Sequence, residues 1–325
     1  MPGKARLITV IPACNSERTL PRTLASLAAQ TVKPDRVLVV DYGSTDGTER
    51  VVAGFTALPC EWRSLPPEHS FFHACNTGLQ LAVNTRHLHF LRPGDVLQPA
   101  FYEELLRALG DGDAFALAFC LEETRDAAGQ PVWVAGRRRQ QATVFSHDAF
   151  LVAMGRLERL PLSTALLRTG GRRVPLGFRV EISQLAHKNF WASFAVHCSR
   201  LVRVNQPLCA HQWEPPSATE PMLPGMQPLV YDELRVMQNA DHLRAERGGW
   251  WERQRRLWIF ARRAALKARR TEQMQKLYHA PEIGRACRTQ AGWLRWLPAT
   301  VVIVLRDWIV FGLLRRKRHP QDLYR

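Results

Sequence analysis

Residues 6–48 read RLITVIPACNSERTLPRTLASLAAQTVKPDRVLVVDYGSTDGT. Two continuous apolar runs of strand length alternate here with two segments of helical character. In the first helical segment Leu20, Leu24 and Leu27 fall at positions i, i+4 and i+7, which gives one apolar face. Strand, helix, strand and helix in quick succession predict βαβα units and a parallel sheet. The predicted helix caps are Ser16 for the first helix and Ser44, Thr45 or Asp46 for the second.

The same alternation continues beyond this segment. The predicted elements are an edge strand at 60–65, a helix at 73–85, a strand at 87–97 that ends in a Pro-Gly-Asp turn, a helix at 100–112 and a strand at 114–123. Residues 126–146 are rich in arginine and glutamine and predict a hairpin or a flexible loop. Short strands and helices are expected to about residue 219. The fold class is therefore α/β, with a mixed and mostly parallel sheet flanked by helices.

Composition limits the class of protein. Of the 325 residues 46% are hydrophobic, which is enough for a substantial core and excludes global disorder. The seven cysteines are scattered and form no CxxC pair, so neither a disulfide framework nor a zinc site is expected. The first twenty residues contain a short strand-like run rather than a signal peptide. Together these features favour the reducing cytoplasm.

Three predicted strand ends carry polar side chains. Asn15 follows the first strand, Asp41 and Tyr42 follow the second, and Asp95 follows a later one. Ligands of open parallel sheets bind at the carboxyl ends of the strands. An acid there accepts hydrogen bonds from a base or a ribose, and a second acid holds a divalent cation that bridges a diphosphate. The alternative for Asp41, and the favoured one for Asp46, is a role in the turn or as a cap.

These motifs resemble family 2 glycosyltransferases, which are inverting GT-A (Rossmann-like) enzymes that use nucleotide-diphosphate sugars. The matching segments are the opening stretch, ACNTGLQLA, HFLRPGDVL, LSTALLR, LGF and PLCAHQWEPPSAT, so the resemblance covers about residues 1–220. It implies a nucleotide site that is formed by Pro12, Asn15, Asp41, Tyr42, Asn76 and Arg92. Tyr42 stands where the family usually has a second, base-reading acid, and a phenol stacks on a base or donates a hydrogen bond instead.

The acidic metal-binding turn of the family reads Arg92-Pro93-Gly94-Asp95 in this sequence. The resemblance therefore implies Asp95 as a ligand of Mg²⁺ or Mn²⁺. Arg92 either pairs with the diphosphate directly, in partial substitution for a metal, or is a solvated loop charge. A histidine-containing turn that closes the family domain corresponds to Glu214-Pro215-Pro216-Ser217, so Glu214 is the second expected metal ligand.

The family places its catalytic base a few residues before a Phe-Trp pair, which is Phe190-Trp191 here. The corresponding position holds His187, and Glu181 is the other candidate. An imidazole titrates near neutral pH and accepts a proton from an acceptor hydroxyl. The competing interpretation of His187 is a structural or exposed side chain.

The last third of the chain is basic: residues 221–325 hold 21 Lys and Arg against 9 Asp and Glu, within a net charge of +16. A Pro- and Met-rich linker precedes it. The segment 296–318 contains an apolar-rich run of about nineteen residues that is interrupted by Arg306 and Asp307 and bounded by Trp296 and by the cations of 315–318. This pattern predicts an interfacial helix on an anionic membrane surface rather than a spanning helix. A soluble helical cap is the alternative, and nucleic acid is not expected as a partner because no spaced stacking platform is present.

We therefore expect a glycosyltransferase domain at 1–220 and a basic, membrane-associated helical region at 221–325. The expected protein is peripherally attached to the inner face of a bacterial membrane. It would transfer a sugar from a nucleotide-diphosphate donor to a lipid-linked or polysaccharide acceptor. A non-catalytic scaffold or partner of an active transferase is the second hypothesis. A nucleotidyltransferase ranks last, because no Gly-rich phosphate loop follows the first strand.

Overall fold

The computed structural model describes residues 6–126, 128–182, 184–212 and 226–244. The strands are β1 (Leu7–Ala13), β2 (Arg36–Asp41), β3 (Cys60–Ser64), β4 (His87–Phe90), β5 (Asp95–Leu97), β6 (Ala116–Arg125), β7 (Pro131–Val134), β8 (Thr143–Phe145), β9 (Ala165–Arg168) and β10 (Arg200–Gln212). The helices are α1 (Leu20–Ala28), α2 (Thr48–Ala53), α3 (Phe71–Leu81), α4 (Phe101–Leu109), α5 (His147–Gly155), α6 (Ala186–Ala195) and α7 (Met226–His242).

All ten strands belong to one mixed sheet, whose main order is β3-β2-β1-β4-β9-β6-β10-β5. The strands β1, β2, β3 and β4 pair in parallel, and β6 pairs in parallel with β10. The strand β9 runs antiparallel between β4 and β6, while β5, β7 and β8 pair antiparallel at the periphery. Six strands thus point in one direction, and their carboxyl ends share one edge of the sheet.

Helices cover both faces of the sheet. Along β1, Ile8 and Val10 contribute to one apolar cluster, together with α3, α5 and α6, whereas Leu7 and Ile11 contribute to the other, with α1 and α4. Because both faces of the central strands are buried, the strands have continuous apolar sequences rather than alternating ones. Gly78 allows α3 to approach β1 closely, since a Cβ there would lie 2.4 Å from Val10 Cγ1.

The structure confirms the predicted alternation of strands and helices and corrects its local details. The Ser16 side chain does not cap α1. The helix begins at Leu20 with Thr19 as its N-cap, and the Ser16 carbonyl accepts the backbone N–H groups of Thr19 and Leu20. The helix α2 begins at Thr48 after Gly47, so the candidates for its cap were placed too early. The segment 126–146 contains β7, which forms a hairpin with β6, and β8, which pairs with β10.

The helix α7 packs against α5 and α6. Arg244, just after α7, forms a bidentate ion pair with Asp148 of α5, and Asn239 donates to Ser193 of α6. The domain boundary near residue 220 stays a prediction. The linker and the basic helices predicted beyond residue 244 lie outside the described residues. Within the described residues, no helix combines the length and the apolar character needed to cross a membrane.

Candidate functional site

The loop after β2 is organised by the carboxylate of Asp41. This side chain is 3% exposed and accepts hydrogen bonds from the backbone N–H groups of Gly43 and Ser44 and from the Ser44 hydroxyl. Gly43 has φ +101°, a left-handed conformation that favours glycine. Asp41 therefore holds its own turn in this structure. Its predicted contact with a nucleoside stays a prediction.

Asn15 joins the loop after β1 to the loop after β2. Its side-chain carbonyl accepts the N–H of Thr45 at 2.8 Å, and its own N–H donates to the Ser44 hydroxyl at 2.9 Å. Asn15 has φ 47°, a left-handed conformation that asparagine tolerates better than most residues do. The loops after β1 and β2, which were predicted to share a ligand, are thus joined by hydrogen bonds.

Asp46 is a turn residue, as the favoured interpretation of the sequence holds. Its carboxylate accepts the N–H groups of Glu17 and Thr48 at 3.0 Å each. Slight desolvation raises the pKa of the Asp46 carboxyl, but the hydrogen bonds from the Thr48 hydroxyl and from these N–H groups lower it further, so the net shift is downward. Because Glu17 follows β1, this bond is a further link between the two strand tips.

Pro12 and Tyr42 stand at the tips of β1 and β2. Pro12 lies opposite Val40 of β2, and the pairing of β1 with β4 has already ended at Val10, so the missing N–H of Pro12 breaks no bond of the sheet. Tyr42 is half-buried and packs edge-on against Phe71 of α3, with ring centroids 6.3 Å apart. Desolvation, followed by the nearby Cys14, Cys75 and Asp41, raises its pKa to about 12. The phenol therefore remains a neutral donor at physiological pH.

Asn76 of α3 braces the segment that precedes the α6 region. Its amide nitrogen donates to the carbonyl of Phe178 at 2.8 Å, and its amide oxygen accepts the N–H of Phe178 at 2.7 Å. Phe178 in turn stacks on Phe72 of α3 and on Phe190 of α6. The predicted ligand-binding amide is engaged in holding the protein backbone.

Asp95 and Arg92 lie in the turn between β4 and β5. The Arg92 Nε donates to Asp95 Oδ2 at 3.0 Å, and Asp95 is 1% exposed while the Arg92 side chain is 36% exposed. Burial alone would raise the pKa of Asp95, but Arg92 and then His211 hold it well below its usual range. Asp95 is therefore an ionised, buried carboxylate.

Two further donors complete the surroundings of Asp95. His211 of β10 lies opposite Asp95 in the sheet register, and its Nδ1 is 2.7 Å from Asp95 Oδ1. Since an ionised carboxylate only accepts, His211 Nδ1 carries the proton. The Ser163 hydroxyl donates to Asp95 Oδ2, and the Ser163 Oγ accepts the backbone N–H of Arg92 at 3.1 Å. Ser163 reaches this edge because β9 runs antiparallel to β4.

This donor set does not fit a divalent cation at Asp95. Both carboxylate oxygens are occupied by hydrogen-bond donors, and a metal would have to displace Arg92, Ser163 or His211 from them. In the ranges that the structure describes, no group of three or more His, Cys, Asp or Glu side chains is arranged to hold a metal ion. Glu214, the other expected ligand, lies outside the described residues.

Glu122 and Arg159 extend the charged cluster and were missed in the sequence. The Glu122 side chain in the second half of β6 is fully buried, and its oxygens lie 3.7 Å from Arg92 Nη2 and 2.5 Å from Arg159 Nε. Arg159 also lies over the ring of Trp133, 5.3 Å from its centroid. A carboxylate after the eight apolar residues of AFALAFCLEE was the available signal. No local sequence pattern indicated its partner Arg159, which lies 37 residues later in the chain.

His187 lies in the first turn of α6, and its ring stacks on Phe72 at 6.4 Å between centroids. Loss of hydration, followed by the cations Lys188, Arg92 and Arg159, lowers its pKa well below 6.5. A neutral imidazole is a proton acceptor. Glu181 is exposed in a turn before α6, and its backbone carbonyl accepts a hydrogen bond from Arg235. The catalytic role of either residue stays a prediction.

Most of the predicted residues meet at the carboxyl edge of the sheet in two groups. One group contains Asn15, Asp41 and Tyr42 at the tips of β1 and β2. The other is the charged cluster, which we define as Arg92, Asp95, Glu122, Arg159 and His211. The edge thus offers an aromatic donor beside a set of guanidinium groups, which is a chemistry suited to a nucleotide and its phosphates.

Known proteins share this architecture. Residues 9–143 match the family described as glycosyl transferase family 2, a segment of 135 residues out of 325. No curated protein matches the chain at a significant level. The crystal structure of S. aureus TarS 1–349 superposes with a TM-score of 0.57 at 14% identity, over 92% of this chain and 81% of that one.

The TarS 1–349 complexes with UDP and UDP-GlcNAc give TM-scores of 0.57 and 0.55 at 15% identity, over the same shares of the two chains. A further S. aureus TarS structure is matched over 49% of its chain. At these identities the superpositions establish the fold. The matched segment contains β1, β2, the Asp41 turn and the Arg92–Asp95 turn. Over residues 9–143 the chain therefore matches the glycosyl transferase family 2 model, and its fold is similar to that of the TarS structures.

Proposed function

We propose that the protein transfers a sugar, with inversion, from a nucleotide-diphosphate donor to a lipid-linked or polysaccharide acceptor in bacterial cell-surface glycan synthesis. The observation that carries the proposal is the pair of groups at one sheet edge, with a phenol and an amide in one group and partly exposed guanidinium groups in the other. The TarS domain of the same fold has been crystallised with UDP and UDP-GlcNAc, which supports a nucleotide-sugar donor.

Each group has a role in this reaction. Tyr42 contacts the base, while Asn15 and Asp41 keep the two loops of the nucleotide pocket in register. The acceptor hydroxyl attacks the anomeric carbon, the bond from that carbon to the diphosphate oxygen breaks, and the diphosphate departs beside Arg92. The neutral imidazole of His187, or alternatively Glu181, takes the proton from the attacking hydroxyl. We route no step through a divalent cation, because the surroundings of Asp95 do not fit one.

A turnover assay tests the proposal. The purified full-length protein is incubated with a panel of nucleotide-sugars and lipid or glycan acceptors, and the released nucleoside diphosphate is measured. We expect release with one donor class and its loss in His187→Ala, while the exposed His197→Ala serves as the matched control. Absence of both donor binding and turnover across the panel would refute the proposal.

A non-catalytic scaffold is the second candidate, and one observation favours it. The two predicted ligand-binding carboxylates, Asp41 and Asp95, are both engaged in internal hydrogen bonds. Calorimetry with nucleoside diphosphates separates the candidates, because a scaffold has no need to bind them. Binding without turnover would favour a regulated enzyme or an unmatched acceptor over a scaffold.

Attachment to the inner membrane surface is a separate part of the proposal and rests on the sequence of 221–325, whose net charge is about +12 by the count given above. Flotation with vesicles tests it: we expect binding to vesicles that contain anionic phosphatidylglycerol and not to neutral phosphatidylcholine vesicles, with release at high salt. Substitution of the four cations at 315–318 by glutamine should weaken this binding. Equal binding to both vesicle types would contradict an electrostatic attachment.

A further inference from the structure

The charged cluster is polarised between the interior and the solvent. Its carboxylates, Asp95 and Glu122, are 1% and 0% exposed, whereas the side chains of Arg92 and Arg159 are 36% and 28% exposed. The negative charges are therefore on the inside, and the positive charges face outward into the sheet edge. An incoming anion meets guanidinium groups rather than carboxylates.

Glu122 holds the two guanidinium groups next to each other. One of its oxygens faces Arg92 and the other faces Arg159, which brings together two cations that would otherwise repel each other. A bridging carboxylate of this kind loses much hydration on burial and is maintained only by its cationic partners. The burial of Glu122 therefore costs free energy, and the two arginines offset this cost.

The two arginines retain donors for a ligand. Arg92 uses Nε and Nη2 toward Asp95 and Glu122, and Arg159 uses Nε toward Glu122. Among the residues described, no hydrogen bond or ion pair involves Arg92 Nη1 or the terminal nitrogens of Arg159. Guanidinium groups bind phosphate oxygens in bidentate geometry, so these free N–H groups suit a diphosphate.

The loop that carries Arg159 is built in a strained conformation. Leu157 has φ 58°, a left-handed conformation that is unfavourable for leucine. The buried Lys188 of α6 donates its ammonium to the carbonyls of Leu157 and Glu158 and so fixes this loop. Strain of this kind persists where the surrounding structure requires it, and here it sets the position of Arg159.

From these observations we propose that Arg92 and Arg159, bridged by Glu122, bind the diphosphate of the donor without a divalent cation. This inference rests on the proposed function and specifies its phosphate site. Arg92 and Arg159 supply the positive charge that offsets the charge on the departing diphosphate. Asp95 is a positioning residue that orients Arg92 and does not ligate a metal.

Isothermal calorimetry of the full-length protein with inorganic pyrophosphate, UDP and GDP tests the proposal. We expect equal affinity in EDTA and in MnCl₂. Arg92→Ala and Arg159→Gln should each weaken pyrophosphate binding about 10- to 100-fold, the usual effect of losing charge-assisted hydrogen bonds. Arg36→Ala is the matched control, because Arg36 also forms an exposed carboxylate pair but lies at the opposite edge of the sheet. It should bind like the wild type.

If an arginine variant fails to fold, calorimetry of the wild type in EDTA and in MnCl₂ still tests the proposal. Binding that requires Mn²⁺, or uptake of Mn²⁺ by the protein–UDP complex in an EPR titration, would overturn the metal-free site and leave the glycosyltransferase assignment intact. Equal affinity of folded Arg92→Ala and the wild type would also overturn it. No binding of any nucleotide in either buffer would refute both this site and the proposed function.

Discussion

At the scale of single residues, the acids at this sheet edge serve to build it. Asp41 accepts three donors of its own turn, and Asp95 accepts one donor of its own turn and two from distant segments. A carboxylate at a strand tip is thus as suited to organising a loop as to binding a ligand. The exposed groups beside these acids are the ones that remain available for a partner.

Asp41→Ala should destabilise the protein. The variant leaves the N–H groups of Gly43 and Ser44 without their acceptor in a nearly buried turn, which costs about 1–3 kcal/mol of the free energy of unfolding. Urea denaturation measures this loss. Ser44→Ala, which removes one hydroxyl donor from the same carboxylate, is the milder control. Unchanged stability together with lost nucleotide binding would instead assign Asp41 to the ligand.

The pKa of His187 should rise when pyrophosphate binds. Lys188, Arg92 and Arg159 help to lower the pKa of the free protein, and an anion on the arginines offsets their effect on the imidazole. His187 then becomes a stronger base in the presence of the donor. An NMR titration of the histidine Cε1 protons, with His187→Gln to assign the resonance, measures the shift. The same pKa with and without pyrophosphate, at saturation, would show that the anion binds elsewhere.

At the scale of elements, the sequence predicted what is local and missed what is distant. The runs that became β1, α1 and β2 carry their periodicity within a few residues, so their type was evident. The starts of α1 and α2 were misplaced because more than one residue of the capping type precedes each helix. Tertiary hydrogen bonds, such as the one that the Thr45 N–H donates to the Asn15 side chain, hold some of these residues outside the helix. The Arg92 turn was identified. Its link through Glu122 to Arg159 joins three segments, and no local pattern encodes it.

The start of α6 depends on a side chain from α7. Asp232 is 2% exposed, and its Oδ2 accepts the N–H groups of Gln184 at 2.7 Å and Leu185 at 3.3 Å, directly before the helix that carries His187. These are backbone donors at a helix N-terminus, where a negative charge is also favourable.

Asp232→Ala should therefore lower the free energy of unfolding by about 1–2 kcal/mol, the cost of losing a helix cap. Thermal or urea unfolding measures it, and Glu49→Ala, an exposed acid in the first turn of α2, is the control with little expected effect. Hydrogen exchange should increase at the first turn of α6. Unaltered exchange there would show that α7 does not support this helix.

At the scale of the whole molecule, buried histidines connect the sheet to the site. His89 of β4 is completely buried, with Nε2 3.0 Å from the carbonyl of Ser163 and Nδ1 2.9 Å from the hydroxyl of Tyr102. The carbonyl only accepts, so Nε2 carries the proton and Nδ1 accepts from Tyr102. Tyr102 then accepts from Thr9, 2.6 Å away. This network fixes Ser163, which in turn binds Asp95.

The protein should lose stability in acid because these histidines are neutral when folded. Burial lowers the pKa of His87 and of His89 to about 4, and that of His187 also lies below 6.5. The unfolded chain binds protons first, so the stability contribution is complete above pH 6.5 and is lost as the pH falls toward 4. For His89 the shift corresponds to about 3 kcal/mol.

Urea denaturation between pH 7.5 and pH 4 should show this decline in the free energy of unfolding. His89→Gln, which offers a donor and an acceptor that do not titrate, should flatten the curve, whereas the exposed His197→Gln should not. A wild-type curve that is flat over this range would mean that His89 accepts its proton without disturbing the Tyr102 network.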